Sequence, residues 1–175
     1  MPELRHYDHL GSARFVTFTC FRRLPLLAYD PIISIFIDEL AALRQRHRVT
    51  ILGYVVMPEH IHLVLLPPDD VQLGRAMGHL KARSARFVFQ RFGDVLLDRW
   101  PCLETSRRGR LIRRFWQPRC YDHNCRTVSS VVERIRYCHA NPVRRGLVQR
   151  PEDWRWSSCR YYAGAQNVVL EIGAF

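Results

Sequence analysis

Two apolar runs, Val49 to Val56 and Ile61 to Leu66, stand either side of Met57-Pro58-Glu59. Short runs rich in β-branched residues and leucine read as strands, and so brief a connection leaves room only for a tight turn. Any fold for this chain must therefore contain these runs as antiparallel neighbours, with Pro58 fixing the turn. Ala13 to Cys20 adds a strand by strict alternation, with Val16, Phe18 and Cys20 on one face and Phe15, Thr17 and Thr19 on the other.

Helical periodicity fills the intervals. Asp30 suits an N-cap and Pro31 a first helical position, and Ile33, Phe36, Ile37, Leu40 and Leu43 recur at helical spacing to about Arg46. Asp70 is the expected cap of a longer helix carrying Leu73, Met77, Leu80, Phe87 and Val88 on one side and arginines on another. Periodicity lapses between Asp98 and Arg114, which predicts a basic loop or arm, and a strand is expected near Phe115 to Tyr121. Thr127 caps a last main helix to about Ala140, with Val128, Val131, Val132, Ile135 and Cys138 inward and Asn141-Pro142 ending it. The order predicts an α+β fold: a ferredoxin-like antiparallel sheet with helices on one face and an additional C-terminal helix. Residues 1–165 are expected to form a single domain and 166–175 a C-terminal tail.

Charge gives the first functional indication. The chain has 27 basic and 16 acidic residues, a formal +11, and Lys81 is its only lysine, so the cationic surface is one of arginine. Arginine's planar fork suits phosphate contacts and stacking on bases, so a phosphate-rich partner is expected. With 47% apolar and 25% charged residues the chain carries enough core to exclude general disorder. No apolar stretch approaches the ~20 residues needed to cross a bilayer and no charged-then-apolar leader opens the chain, so no membrane association and a cytoplasmic, nucleoid-associated location are expected. The six cysteines include no C-x-x-C pair and read as reduced thiols. A zinc site from Cys120, His123 and Cys125 matches no common zinc spacing.

His60-Ile61-His62 is the sharpest local feature. Period-two geometry sends both imidazoles to one strand face, where they either share a metal or are two surface histidines. On the last helix Tyr137 and Asn141 are one turn apart, and helical geometry points Tyr137 nearly opposite the centre of the valine-isoleucine stripe. A surface tyrosine and a C-terminal cap are the plain alternatives. Arg107, Arg108, Arg110, Arg113 and Arg114 crowd around Gly109 beside Phe115 and Trp116, either as a solvated charge run or as an arm that tracks a strand while Trp116 stacks on unpaired bases. Trp154, Trp156, Tyr161 and Tyr162 are expected to close the core, and His139 to pack or bond near Pro142.

Four ordered blocks carry a resemblance: YVVMPEHIH at Tyr54 to His62, FWQPRCYDH at Phe115 to His123, YCHANPVRRGLV at Tyr137 to Val148, and WRWSS at Trp154 to Ser158. Together they resemble the single-tyrosine HUH nucleases, and within them the REP-associated tyrosine transposases of the IS200-like group. The resemblance implies a metal-dependent single-stranded DNA endonuclease and strand transferase. Such an enzyme cuts beside hairpin, REP-like sequences through a covalent 5′-phosphotyrosine intermediate, in transposition or repeat mobilisation. It implies Tyr137 as the nucleophile, with Tyr121 second to it, and His60, His62 and Asn141 as ligands of a divalent Mg²⁺ or Mn²⁺ ion. The implied partner is single-stranded DNA with an adjacent hairpin, held by Arg83, Arg86, Arg107, Arg108, Arg110, Arg113, Arg114, Trp116, His123, Arg144 and Arg145, and the protein is expected as a monomer or homodimer. Glu59 stands where the family more usually has asparagine, which adds charge beside the metal position.

The chemistry suits these residue types. A phosphotyrosine link conserves the energy of the cut bond for later transfer to a 3′ hydroxyl, and two imidazoles are softer than magnesium prefers, which favours manganese as a surrogate. A histidine-triad hydrolase is disfavoured because Val64 occupies the next position on that strand face. A two-histidine phosphoesterase would need a second histidine motif, and a plasmid relaxase or replication initiator fits the position of the tyrosine and the small size less well. A domesticated, non-catalytic DNA hairpin-binding protein is the alternative that the basic charge alone would allow.

Overall fold

A computed structural model describes residues 13–173 of the chain. Its elements are β1 (Ala13–Thr19), α1 (Asp30–His47), β2 (Thr50–Val56), β3 (His60–Leu66), α2 (Leu73–Arg99), β4 (Glu104–Arg107), β5 (Arg110–Arg113), β6 (Tyr121–Cys125), α3 (Val128–Arg144) and the short α4 (Cys159–Tyr162). The main sheet runs β2-β3-β1-β6, and β3 is antiparallel to both β2 and β1, as β1 is to β6.

Helices α1 and α2 cover one face of this sheet. Val16, Phe18, Ile61, Leu63 and Leu65 meet Ile33, Phe36, Leu40, Met77 and Leu80 there in the larger core. The other face carries a second core, in which Phe15, Leu52, Val55, Met57 and Val64 pack against Val131, Ile135 and Cys138 of α3. Each such side chain, once fully buried, stabilises the fold by about 1.5–3 kcal/mol before chain entropy is counted. A bulge between Ile51 and Gly53 offsets β2, so that Ile51 and Tyr54, three residues apart, both face the larger core.

The structure corrects several boundaries. Asp30 is the first residue of α1 rather than its cap, and its carboxylate accepts from the indole of Trp156 at 2.9 Å. Asp70 pairs with Arg48 instead of capping α2, which starts after Gln72. The expected basic arm is partly ordered: α2 runs on to Arg99, and β4 and β5 form a hairpin whose turn residues Arg108 and Gly109 have φ of 52° and 75°. Positive φ at both turn positions matches the right-handed twist of the flanking strands. The last strand is Tyr121–Cys125 rather than Phe115 to Tyr121, because Phe115 and Trp116 are drawn into the larger core.

Thr127 caps α3 as expected, in a reciprocal box with Ser130. Asn141-Pro142 does not end that helix, which continues to Arg144. Proline forfeits one intrahelical bond, and the closing turn compensates: Leu147 N–H donates to Pro142 O at 2.9 Å and Gly146 N–H to Val143 O at 2.9 Å, with Gly146 at φ 67°. This is the Schellman finish, which needs a residue at ease with positive φ.

The C-terminal segment closes the outer edge of β2. Val56 N–H donates to Trp156 O at 2.8 Å, Ser158 N–H to Tyr54 O at 3.0 Å and Gly173 N–H to Ile51 O at 3.0 Å. His139 Nε2 lies 2.9 Å from Ser158 Oγ, and Trp156 is buried in the core as expected. The span expected as a tail has no helix or strand over 166–173, yet it seats Leu170 and Ile172 in the larger core.

Candidate active site

His60 and His62 are the first and third residues of β3, on the face that α3 covers, and both are buried. Their Nε2 atoms stand 3.1 Å apart, and each ring is held from its other nitrogen. His60 Nδ1–H donates to Glu59 Oε1 at 3.2 Å, while His62 Nδ1 lies 2.7 Å from Thr17 Oγ1. The carboxylate can only accept, so it fixes the proton of His60 on Nδ1 and leaves Nε2 a bare lone pair. Glu59 in turn meets the guanidinium of Arg145 at 2.9 Å, which ties the end of α3 to the turn between β2 and β3.

Burial lowers both histidines. His62 is pushed down to about 3 by desolvation and then by its neighbour His60. Desolvation also lowers His60, against the opposing pull of Glu59. Both imidazoles are thus neutral at physiological pH, the state in which they can act as ligands.

Tyr137 completes the cluster from α3 of the same chain. Its ring stands edge-on to His62 with centroids 5.2 Å apart and edge-on to Phe15 at 5.9 Å. Phe15 also stacks on His62 at 5.4 Å, and the Arg144 guanidinium lies over the Tyr137 ring at 5.5 Å. The stripe geometry expected from sequence is rotated. Val131, Ile135, Cys138, Asn141 and Pro142 are the buried residues of α3, so Tyr137 lies on the flank of the buried face instead of opposite it.

Asn141 is buried, and its Nδ2 has no hydrogen-bond partner. Turning the amide over puts its oxygen in that orphaned position as a free acceptor. Two nitrogens bound side by side at 2.0–2.1 Å to an octahedral ion lie about 3 Å apart, which is the spacing of this histidine pair. The donor set therefore fits a divalent cation. Among the described residues no three of His, Cys, Asp and Glu gather as a metal cage, so the zinc grouping at Cys120, His123 and Cys125 finds no support. Further ligands at the histidine pair would have to be an amide oxygen, water or substrate oxygen.

The other expected site residues are dispersed. Arg107, Arg108 and Arg110 are exposed on the β4–β5 hairpin. Arg113 donates to Glu104 at 2.7 Å, Arg114 lies over Phe21 and Arg86 over Phe87. Arg83 is held by Glu39 of α1 at 2.7 Å. His123 is exposed beside Tyr121 on β6. Trp116 is a correction: it is 8% exposed, donates to Ser84 Oγ at 3.1 Å and packs on Phe18, so its ring is not available to a base. Thr17 and Phe15 were not singled out in the sequence; their alternation was visible, but not that β1 lies beside the histidine strand.

The family model described as "Transposase IS200 like" matches residues 11–141. The chain belongs to the IS200-like transposase family. Its relatives carry the name of an enzyme, tyrosine transposase. The REP-associated tyrosine transposase of Escherichia coli K12 is 25% identical over 163 residues, covering 90% of this chain and 82% of that one. A Haemophilus influenzae protein provisionally given the same name is 27% identical over 104 residues, 59% of this chain, and the match spans 54% of that relative's length. Among solved structures, a REP-associated tyrosine transposase bound to a REP hairpin shares the fold of this IS200-like transposase, with TM-score 0.68, 22% identity and coverage of 99% and 96% of the two chains. A Deinococcus radiodurans protein provisionally named a transposase has TM-score 0.53 at 19% identity, covering 78% of this chain and 95% of its own. Among the described residues no helix is long and apolar enough to cross a membrane.

Proposed function

We propose that this transposase cuts and rejoins single-stranded DNA beside a hairpin through a covalent link between Tyr137 and a 5′ phosphate, in transposition or mobilisation of repeats. The observation that carries this reading is the Tyr137 ring set edge-on to His62, 5.2 Å away, beside two imidazoles whose Nε2 atoms face each other. His60, His62 and Asn141 would hold a divalent Mg²⁺ or Mn²⁺ ion. When bound, such an ion polarises a non-bridging phosphate oxygen and offsets the charge that builds up during attack.

The remaining steps belong to the chain's own groups. The phenol oxygen of Tyr137 forms a bond to phosphorus as the bond from phosphorus to the 3′ oxygen breaks; the phenol proton is lost and the departing 3′ oxygen gains one. The strand is then held as a phosphotyrosine whose energy is close to that of the bond broken, so a 3′ hydroxyl can attack it in reverse without an external energy source. Phe15, His62 and Arg144 hold the ring in the attacking orientation, which lowers the entropic part of the barrier. Glu59 holds the His60 proton on Nδ1, Thr17 orients the ring of His62, and Arg145 holds Glu59 in place. Arg107, Arg108 and Arg110 offer free guanidinium groups to the phosphates of a hairpin, the kind of DNA to which one structural relative is bound.

Tyr137→Phe tests the proposal. The variant should bind hairpin-bearing single strands like the parent and leave no covalent adduct on denaturing gels in the presence of Mn²⁺, a loss of at least about a thousandfold. An adduct retained by the variant would remove Tyr137 from this role. A parent protein that binds but never cuts would make the chain a hairpin binder.

A further inference from the structure

Tyr121 and His123 lie on the same sheet face as the histidine pair. The registers place them there: His62 of β3 is opposite Thr17 of β1, and Thr17 is opposite Tyr121 of β6, so these residues form one row across the sheet. Val64, Phe15 and His123 form the next row. At a strand spacing of about 4.8 Å, Tyr121 stands roughly 10 Å from His62 along its row.

Both side chains are open to solvent, Tyr121 at 57% exposure, on an edge strand. Their rings are parallel to within 3° with centroids 6.4 Å apart. Two exposed rings lying parallel offer π-faces of common orientation on which planar bases can stack. Every base has a π-face, so an aromatic pair of this kind takes unpaired nucleotides with little regard to sequence, whereas paired bases hide their faces from it. An open groove of about 570 Å³ beside the pair is lined by Arg14, Asp122, His123, Asn124, Arg126, Thr127 and Ser130. Asp122 is engaged with Arg14, while Arg126 is exposed and available to backbone phosphate.

We propose that Tyr121 and His123 form a base-stacking clamp for unpaired nucleotides, which seats a single strand along the sheet face leading to Tyr137. This rests on the single-stranded DNA reading above and adds to it how the strand is held. An exposed aromatic pair buries nothing in the core, so its removal should leave the fold intact.

The test compares binding of the full chain to a short oligothymidylate and to the same strand with abasic residues. The parent should prefer the thymine strand by about tenfold or more, the range for loss of one stacked base. The double variant Tyr121→Ala, His123→Ala should bind both strands alike, and Tyr121→Phe, which keeps the ring, should retain the preference. A strand carrying 2-aminopurine provides a readout free of variants, because its emission drops on stacking in the complex. A double variant with the parent's preference, or unquenched 2-aminopurine in a saturated complex, overturns the clamp and leaves the cleavage reading standing. A parent that binds neither strand at low salt overturns both.

Discussion

Thr17 holds the Nδ1 side of the His62 ring through a hydroxyl 2.7 Å away, while Phe15 stacks on its face. Replacing Thr17 with valine keeps the shape and removes the hydrogen bond. Loss of such a supporting contact to a ligating histidine typically costs 10–100-fold in metal affinity or activity. Thr17→Val should therefore raise the Mn²⁺ concentration needed for adduct formation by about that factor, with melting temperature little changed; an unaltered metal titration would show that the ring is oriented by its other contacts. The candidate site residues were legible in the sequence, because an H-x-H pair on a strand and a tyrosine one helical turn before an asparagine are local patterns. Thr17 and Phe15 were not, because their importance comes from register with a strand some forty residues away.

At the scale of elements, the position of α3 against β2 governs where the phenol sits. A Cβ built at Gly53 would lie 3.0 Å from Ile135 Cγ1, so any side chain there requires Ile135 to give way by a few tenths of an ångström. Gly53→Val should lower stability by about 1–3 kcal/mol, as overpacking does in other cores. Ile135 precedes Tyr137 by two residues, and a shift of about 1 Å at the reacting atoms costs on the order of a hundredfold. The variant's adduct rate should therefore fall well beyond any loss of folded protein; a rate that merely follows the folded fraction would argue against this coupling. Helix boundaries read from caps were right at Thr127 and wrong at Asp70 and Pro142. Asp70 finds a closer partner in Arg48, and the turn at Gly146 satisfies the carbonyls near the end of the proline-containing helix.

For the whole molecule, pH and salt are the informative variables. His62 is lowered to about 3 and His139 to about 4, both mainly by burial, whereas the unfolded chain takes up these protons near 6.5. Below 6.5 the unfolded state binds more protons than the folded one. Stability is therefore complete above about pH 7 and declines as pH falls through 6.5 toward the folded values. Chemical denaturation between pH 7.5 and 5 should show this slope, and His139→Gln should reduce it by about one proton; an unchanged slope would mean that His139 is protonated in the native state. DNA affinity should fall steeply with salt, in keeping with the net charge of +11. Replacing Arg107, Arg108 and Arg110 by alanine should reduce the log–log slope by about two to three. A parallel line of lower affinity would place the hairpin arginines off the DNA.

Local patterns in the sequence mark β1, β2, β3 and the bodies of α1, α2 and α3, and they single out the histidine pair and Tyr137 as candidates, because hydrophobic period, capping and proline placement act over a few residues. The tertiary structure decided that β1 lies between β3 and β6, that α3 covers the face opposite α1 and α2, and that Trp116 belongs to the core. Those outcomes depend on which apolar surfaces bury each other across long stretches of chain. The same long-range pairing lines up His62, Thr17 and Tyr121 in one row, although no local pattern connects them.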